Sequence, residues 1–157
     1  MTPSAGRPTM PGYGLAPAEG GGGLLPWTWA EERLRSSHAY WVVTVHPDGR
    51  PHAMAVWGVW HDGTFVFSTA GGSRKARNLA AEPRCTVTTD DPTEAVVVEG
   101  TAAVHVAGDG VMAAYEEKYG SAPPDPETSP LIAVRPRVVF GLIEDSFTDT
   151  ATRWTFA

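Results

Sequence analysis

Positive charge, sulfur and long apolar runs are all scarce in this chain of 157 residues. Twelve lysines and arginines stand against 18 acids, a net charge of −6. That balance argues against nucleic acid, whose backbone needs a broad basic surface. The one cysteine, Cys85, excludes an internal disulfide and fits a reducing compartment, so a cytoplasmic location is expected. No run approaches the roughly 18 apolar residues of a membrane span, so no membrane partner is expected. The N-terminus has no apolar stretch of the kind a signal peptide carries. Catalytic constellations are scarce as well. His38, His46, His52, His61 and His105 show no metal-ligand spacing, and no metal is expected. There is no nucleophile elbow and no carboxylate pair, so no catalytic residue is assigned. If the chain is an enzyme, its chemistry is expected to belong to a bound cofactor, with the polypeptide supplying position and electrostatics.

What is present is globular. Hydrophobic residues make up 42% and charged residues 19%, which describes a chain able to bury a core rather than a disordered one. Residues 1–24 hold seven glycines and four prolines, and are expected to be a disordered tail. The folded domain is expected over residues 25–157. Thr28 and Glu31 have the spacing of a capping box, opening a short helix that runs to about Ser37. Strands follow at 39–45, 52–60 and 64–69, separated by the turn signatures Pro47-Asp48-Gly49 and Asp62-Gly63. A fourth strand is expected at 84–89 and a long one at 95–106. Asp109 opens a helix over 110–119, and closing strands follow at 131–135, 138–143 and 152–156. Mainly β, with short helices and six to seven antiparallel strands, the pattern predicts a β-barrel. Residues 41–45 and 53–60 are apolar on both faces, where a lone barrel in water would alternate. A homodimer packed along those walls is the expected cover.

The most informative segment is Gly71-Gly72-Ser73-Arg74-Lys75-Ala76-Arg77-Asn78-Leu79, directly after the strand Phe65-Val66-Phe67-Ser68-Thr69. Ser73 is a normal N-cap. Arg74, Lys75 and Arg77 are not normal behind it, because a helix N-terminus already concentrates positive potential. Two readings stand at this point. The cations either clamp an anion against the free N–H groups, or form a solvated basic face. The glycine pair, the cap and the strand feeding the turn weigh toward phosphate.

Those motifs, in order, also carry a resemblance. Asp48-Gly49-Arg50-Pro51-His52, Phe67-Ser68-Thr69, Gly72 to Leu79, Glu82-Pro83-Arg84 and Val98-Glu99-Gly100-Thr101-Ala102 are similar to the pyridoxamine-phosphate-oxidase-like split β-barrel family. The resemblance spans residues 27–157 and implies a split barrel that binds FMN or the deazaflavin coenzyme F420. It implies that Ser68, Thr69, Ser73, Arg74 and Lys75 hold the cofactor phosphate, with Asn78 nearby. It implies too that the ring lies along Met54, Ala55, Val56 and Trp57, in a cleft completed by a twin subunit. Trp57, Trp60 and Tyr40 are pocket candidates, although for Trp41 and Trp60 core packing is preferred. The family's true oxidases carry an Arg-x-His pair near the C-terminus. Residues 140–147 hold no basic residue, so vitamin B6 oxidation is not expected. The implied activity is transfer of a hydride from reduced F420, or from FMN, to a small organic molecule. The alternative is a non-catalytic protein that stores or senses a flavin, deazaflavin or haem.

Overall fold

Asp62 and Gly63 both have positive φ, 48° and 71°, the pair that a two-residue type I′ hairpin loop requires. They join His61 to Thr64, which face each other across the resulting hairpin. The computed structural model describes residues 2–157 apart from Ala107 and Asp109. In chain order its strands and helices are β1 (Ser4–Gly6), α1 (Trp27–Ser36), β2 (Tyr40–Val45), β3 (Pro51–Val56), β4 (Val59–His61), β5 (Thr64–Ser68), α2 (Arg74–Ala81), β6 (Arg84–Thr89), β7 (Glu94–His105), α3 (Val111–Tyr119), β8 (Leu131–Ile143), α4 (Phe147–Thr150) and β9 (Thr152–Thr155).

All pairings are antiparallel, and the sheet runs β1-β9-β8-β7-β6-β2-β3, with β5 joined to β8 and β4 to β5. The 13-residue β8 is the junction: its Leu131–Val134 half pairs with β5, and its Val138–Gly141 half pairs with β9. No ladder joins β3 to β4. The sheet is therefore split rather than closed, and only the peptide at Trp57-Gly58 carries the chain from one lip to the other. Gly58 is forced there, because a Cβ would lie 2.4 Å from the Phe65 ring.

Three boundaries differ from the sequence reading. The apolar run 52–60 is two strands, because Gly58 turns the backbone within it. Residues 131–143 are one strand, because the break at Pro136 is absorbed as a bulge. The β7 partners shift from Glu99–Val138 to Gly100–Pro136, which skips Arg137. Gly100 lets the strands close there, since a Cβ would sit 2.4 Å from the Arg135 carbonyl oxygen. Pro26, not Thr28, is the N-cap of α1, and no side chain caps that end. Instead Trp27 packs edge-on against Trp60, Trp154 and Phe156, which holds the helix down by burial. Asp109, expected to open α3, lies outside the described residues; that helix begins at Val111 behind Gly110.

The N-terminal segment is the largest departure, since the expected disordered tail is built into the fold. β1 adds to the free edge of β9, in register Ser4–Thr155 to Gly6–Arg153. The Arg7 guanidinium then donates to the carbonyls of Ala16 (2.9 Å), Ala151 (2.8 Å), Gly22 and Asp149. One cation satisfies four backbone acceptors drawn from both ends of the chain. Composition gives no sign of such a pin, because a single arginine hardly alters it.

The main core lies between the sheet lips and α1: Leu34, Tyr40, Val42, Phe65, Phe67, Val87, Val96, Val98, Val134, Val139 and Trp154 are all 1% exposed or less. A second core, of Val59, Val66, Val111, Tyr115 and Leu131, fills the other face of β4 and β5 beneath α3. Helices thus cover part of the doubly apolar run. The rest stays open in the single chain: Trp41 is 50% exposed, Met54 and Trp57 45% and Val45 37%. Trp41, expected in the core, is the most exposed of these.

Candidate functional site

β5 ends at Ser68, and the turn after it is fastened from one side. Thr69 N and Gly71 N donate to the carbonyls of Pro130 and Thr128, and Ser68 Oγ donates to that of Ser129. This fixed turn sets the start of α2. Ser73 Oγ accepts from Ala76 N (3.2 Å) and lies 2.9 Å from Thr69 Oγ1. The cap forms as the sequence predicts, with Arg74 and Lys75 directly behind it and no acidic residue in the first turn. Among the described residues, no carboxylate comes within ion-pair distance of Arg74, Lys75 or Arg77. Burial pushes the Lys75 ammonium below its ordinary pKa, so its charge is held at some cost.

Asn78 is one turn further along and completely buried. Its Nδ2 donates to Thr44 Oγ1 on β2 at 3.0 Å, while its Oδ1 is buried with no partner. Thr44 faces His52 across the β2–β3 ladder, and His52 Nδ1 is also buried without a partner. A buried acceptor left unpaired is costly, and two such orphaned polar atoms lie beside one threonine. Sequence reasoning passed over Thr44 and His52. The signal was available: period-two alternation puts His52, Met54 and Val56 on one face.

His46 closes the same corner. Its ring lies 5.3 Å from that of His52, edge to face. Desolvation, and then the charges of Arg50, Arg74 and His52, lower its pKa, while Asp48 opposes them. Arg74 of α2 and the β2–β3 hairpin thus share one electrostatic neighbourhood.

β3 is the open edge of the sheet, so Met54, Ala55 and Val56 sit on a strand whose outward backbone groups have no ladder partner. Trp57 follows, its ring stacked on Tyr119 at 4.4 Å and 1° between planes, with His38 edge-on to both. Tyr119 Oη accepts from Gly58 N (3.0 Å) and lies within donating distance of the His38 and Gly58 carbonyls. Lys118 Nζ donates to Tyr40 Oη (2.7 Å) and to the Gly58 carbonyl (3.0 Å). Burial lowers the Lys118 pKa to about 8, with Asp90 pulling weakly the other way. Burial also raises that of Tyr40, whose hydroxyl donates to the Leu34 carbonyl. Tyr40 and Trp60 are core residues, so of the three pocket candidates only Trp57 reaches the surface.

The structure therefore places Thr69, Ser73, Arg74, Lys75 and Asn78 in one cluster, linked through Thr44 to the head of β3. Met54 to Trp57 run away from that cluster along the open edge. Ser68 is turned toward the 125–130 loop.

A split antiparallel sheet of nine strands with four short helices defines a class of small β proteins. Within it, the model of the pyridoxamine 5′-phosphate oxidase family matches residues 29–142, and the chain belongs to that family. No curated protein matches the chain. Among solved structures, one described as an F420 reductase is 26% identical, with 69% of this chain and 94% of that one covered at a TM-score of 0.57. A pyridoxamine 5′-phosphate oxidase-related, FMN-binding protein from Nostoc punctiforme is 20% identical over 89% of this chain and 90% of its own, with a TM-score of 0.59. A heme binding protein from Mycobacterium smegmatis is 20% identical over 78% and 60%, with a TM-score of 0.61.

Proposed function

We propose that this chain is an oxidoreductase that holds coenzyme F420, with FMN as the alternative, and acts on a small organic substrate. The observation that carries the reading is the start of α2: three cations directly behind a capping serine, with no carboxylate partner among the described residues. An anion is the one group that stabilises all of them together. Arg74 and Lys75 would clamp its phosphate, and the Ser73 and Thr69 hydroxyls would contact it. The orphaned Asn78 Oδ1 would accept from a hydroxyl of the adjoining chain. The open backbone of β3 from Met54 to Val56, with Trp57 after it, suits the amide edge of a flat ring, as an edge strand offers both N–H and C=O. When bound, the cofactor supplies hydride transfer, and the protein's part is to orient it and exclude water.

The exposed apolar strip around Trp41, Val45, Met54 and Trp57 supports a twin subunit laid along that wall, burying more than about 1,000 Å² in total. No described helix is long and apolar enough to cross a membrane. With one buried thiol, the chain also suits a reducing, cytoplasmic setting.

Tryptophan quenching and absorption titrations with F420, FMN and haem test the reading. F420 is expected to bind more tightly than FMN. Submicromolar FMN binding without a response to F420 reverses the cofactor assignment. A haem Soret band with no flavin or deazaflavin binding replaces it with the storage reading, which the heme binding protein of like fold supports.

A further inference from the structure

The outer face of β5, β8 and β7 carries a trough that the α2 corner does not use. Period-two alternation sends Phe65, Phe67, Val134 and Ala102 into the main core, so Thr64, Val66, Ala133, Arg135, Thr101 and Ala103 face the other way. The register sets them in two rows. Val66, Ala133 and Ala103 lie level across the three strands, and Arg135 is opposite Thr101 in the next row. Thr64, one step beyond the Phe65–Val134 pair, comes level with Arg135 on its other side. Two residues of strand, about 6.5 Å, separate the rows. Helix α3 shields the β4 side, where Gly110 at its head lies close to the His61 ring. The β6 ladder stops at Arg84–Thr101, which leaves Ala103 exposed. The trough measures about 500 Å³, the size of a small-molecule site.

One row of the trough is apolar, and the other sets a guanidinium between two threonines. Among the described residues no carboxylate lies within ion-pair distance of Arg135. Asp62, at the far end, lies 3.5 Å from His61 Nε2 instead. A surface arginine by itself is an ordinary solvated charge. Beside an apolar floor and flanked by hydroxyl residues, it matches a ligand that has both a ring and an acid group. A single planar guanidinium takes a carboxylate through two parallel hydrogen bonds, whereas a phosphate monoester would draw on more than one cation. We propose that the trough binds a planar aromatic carboxylate, its ring on the floor of Val66, Ala133 and Ala103 and its carboxylate on Arg135, with the Thr64 and Thr101 hydroxyls beside it. The inference does not depend on the phosphate reading of α2, with which it shares no residue.

The test is titration of the full chain with 2-naphthoate and with its neutral isostere 2-naphthamide, followed by NMR of the alanine and threonine methyl groups at fixed pH and ionic strength. Parent, Arg135→Gln and Ala103→Leu proteins are compared. Both changed residues are exposed, so the variants are expected to fold. In the parent, naphthoate should shift the methyls of Ala103, Ala133, Thr64 and Thr101, and bind about 3- to 10-fold more tightly than the amide. Arg135→Gln should bring the two affinities within about twofold of each other. Ala103→Leu should weaken both ligands together, because the new side chain fills the floor. Equal affinities in the parent, or a carboxylate preference that survives Arg135→Gln, overturn the proposal. Shifts confined to other parts of the molecule, or none at millimolar ligand, overturn it as well. None of these outcomes bears on the cofactor reading, which the F420 and FMN titrations test separately.

Discussion

Helices α1 and α2 carry their cations at opposite ends, and the contrast separates structure from site. In α1, Arg33 and Arg35 occupy the last turn, where the helix dipole favours them. Arg33 is then bound to Glu94 at 2.6 Å and lies 3.9 Å over the Trp29 ring, while Arg35 reaches Glu31 at 3.4 Å. Both arginines there are answered inside the protein. In α2 the cations sit in the first turn, opposed to the dipole, and among the described residues no acid answers them. A protein evolved only for stability has no reason to keep that arrangement, and one that binds an anion has.

The strongest test of this contrast is Lys75→Ala. Cofactor affinity should fall by about 1.5–3 kcal/mol, the size of a hydrogen bond to a charged group, or roughly 10- to 150-fold. The melting temperature of the cofactor-free protein should stay level or rise, because an unfavourable charge has gone. An unaltered dissociation constant in both Lys75→Ala and Arg74→Ala would reduce α2 to a solvated basic face.

Lys118 sharpens the comparison from a third position. It lies in the last turn of α3, the end the dipole favours, yet burial lowers its pKa to about 8. The folded protein therefore releases this proton at lower pH than the unfolded chain does. Between about pH 8 and the ordinary lysine value near 10.4, the unfolded state binds more protons, so stability rises with pH. Below pH 8 both states are charged and the penalty is fully present. Since the side chain is only half-buried, solvent screening limits the gain to about 1–2 kcal/mol. Denaturant melts of parent and Lys118→Met across that window would show it as a changing difference. A constant difference would mean that the ammonium is not desolvated in solution.

Arg33→Ala gives the smallest effect and the opposite signature. It removes a partly exposed ion pair and a cation–π contact, so stability should fall by about 1 kcal/mol. Cofactor affinity should not move. Equal losses of binding in Arg33→Ala and Lys75→Ala would erase the distinction between the two helices.

Helix α2, its cap and the cations behind it were legible because their signals are local: a capping serine, basic residues at the wrong end, and Pro83 beyond. Bounds of β6 at Arg84 and Thr89 were legible for the same reason. What the sequence hid depends on contacts far along the chain. Gly58 breaks an apolar run only because Phe65 fills the space its side chain would take. Pro136 fails to break β8 only because Gly100 lets the neighbouring strand bulge. The histidines at 46 and 52 show no motif, and the hairpin alone brings their rings together. Arg7 looks like a lone charge in a glycine-rich tail until its four carbonyl partners are in place.

Trp154 has a kinetic consequence. It is 1% exposed, lies in the main core and stacks edge-on against Trp27, more than a hundred residues earlier. During synthesis the chain emerges at about 5–20 residues per second, and the pocket over Trp27 and Gly141 stays unfilled until residue 154 arrives. The strand β9 that carries it is also what β1 pairs with. Most of the sheet can be made before the core is able to close, so the arrival of Trp154 sets the moment at which this domain can fold.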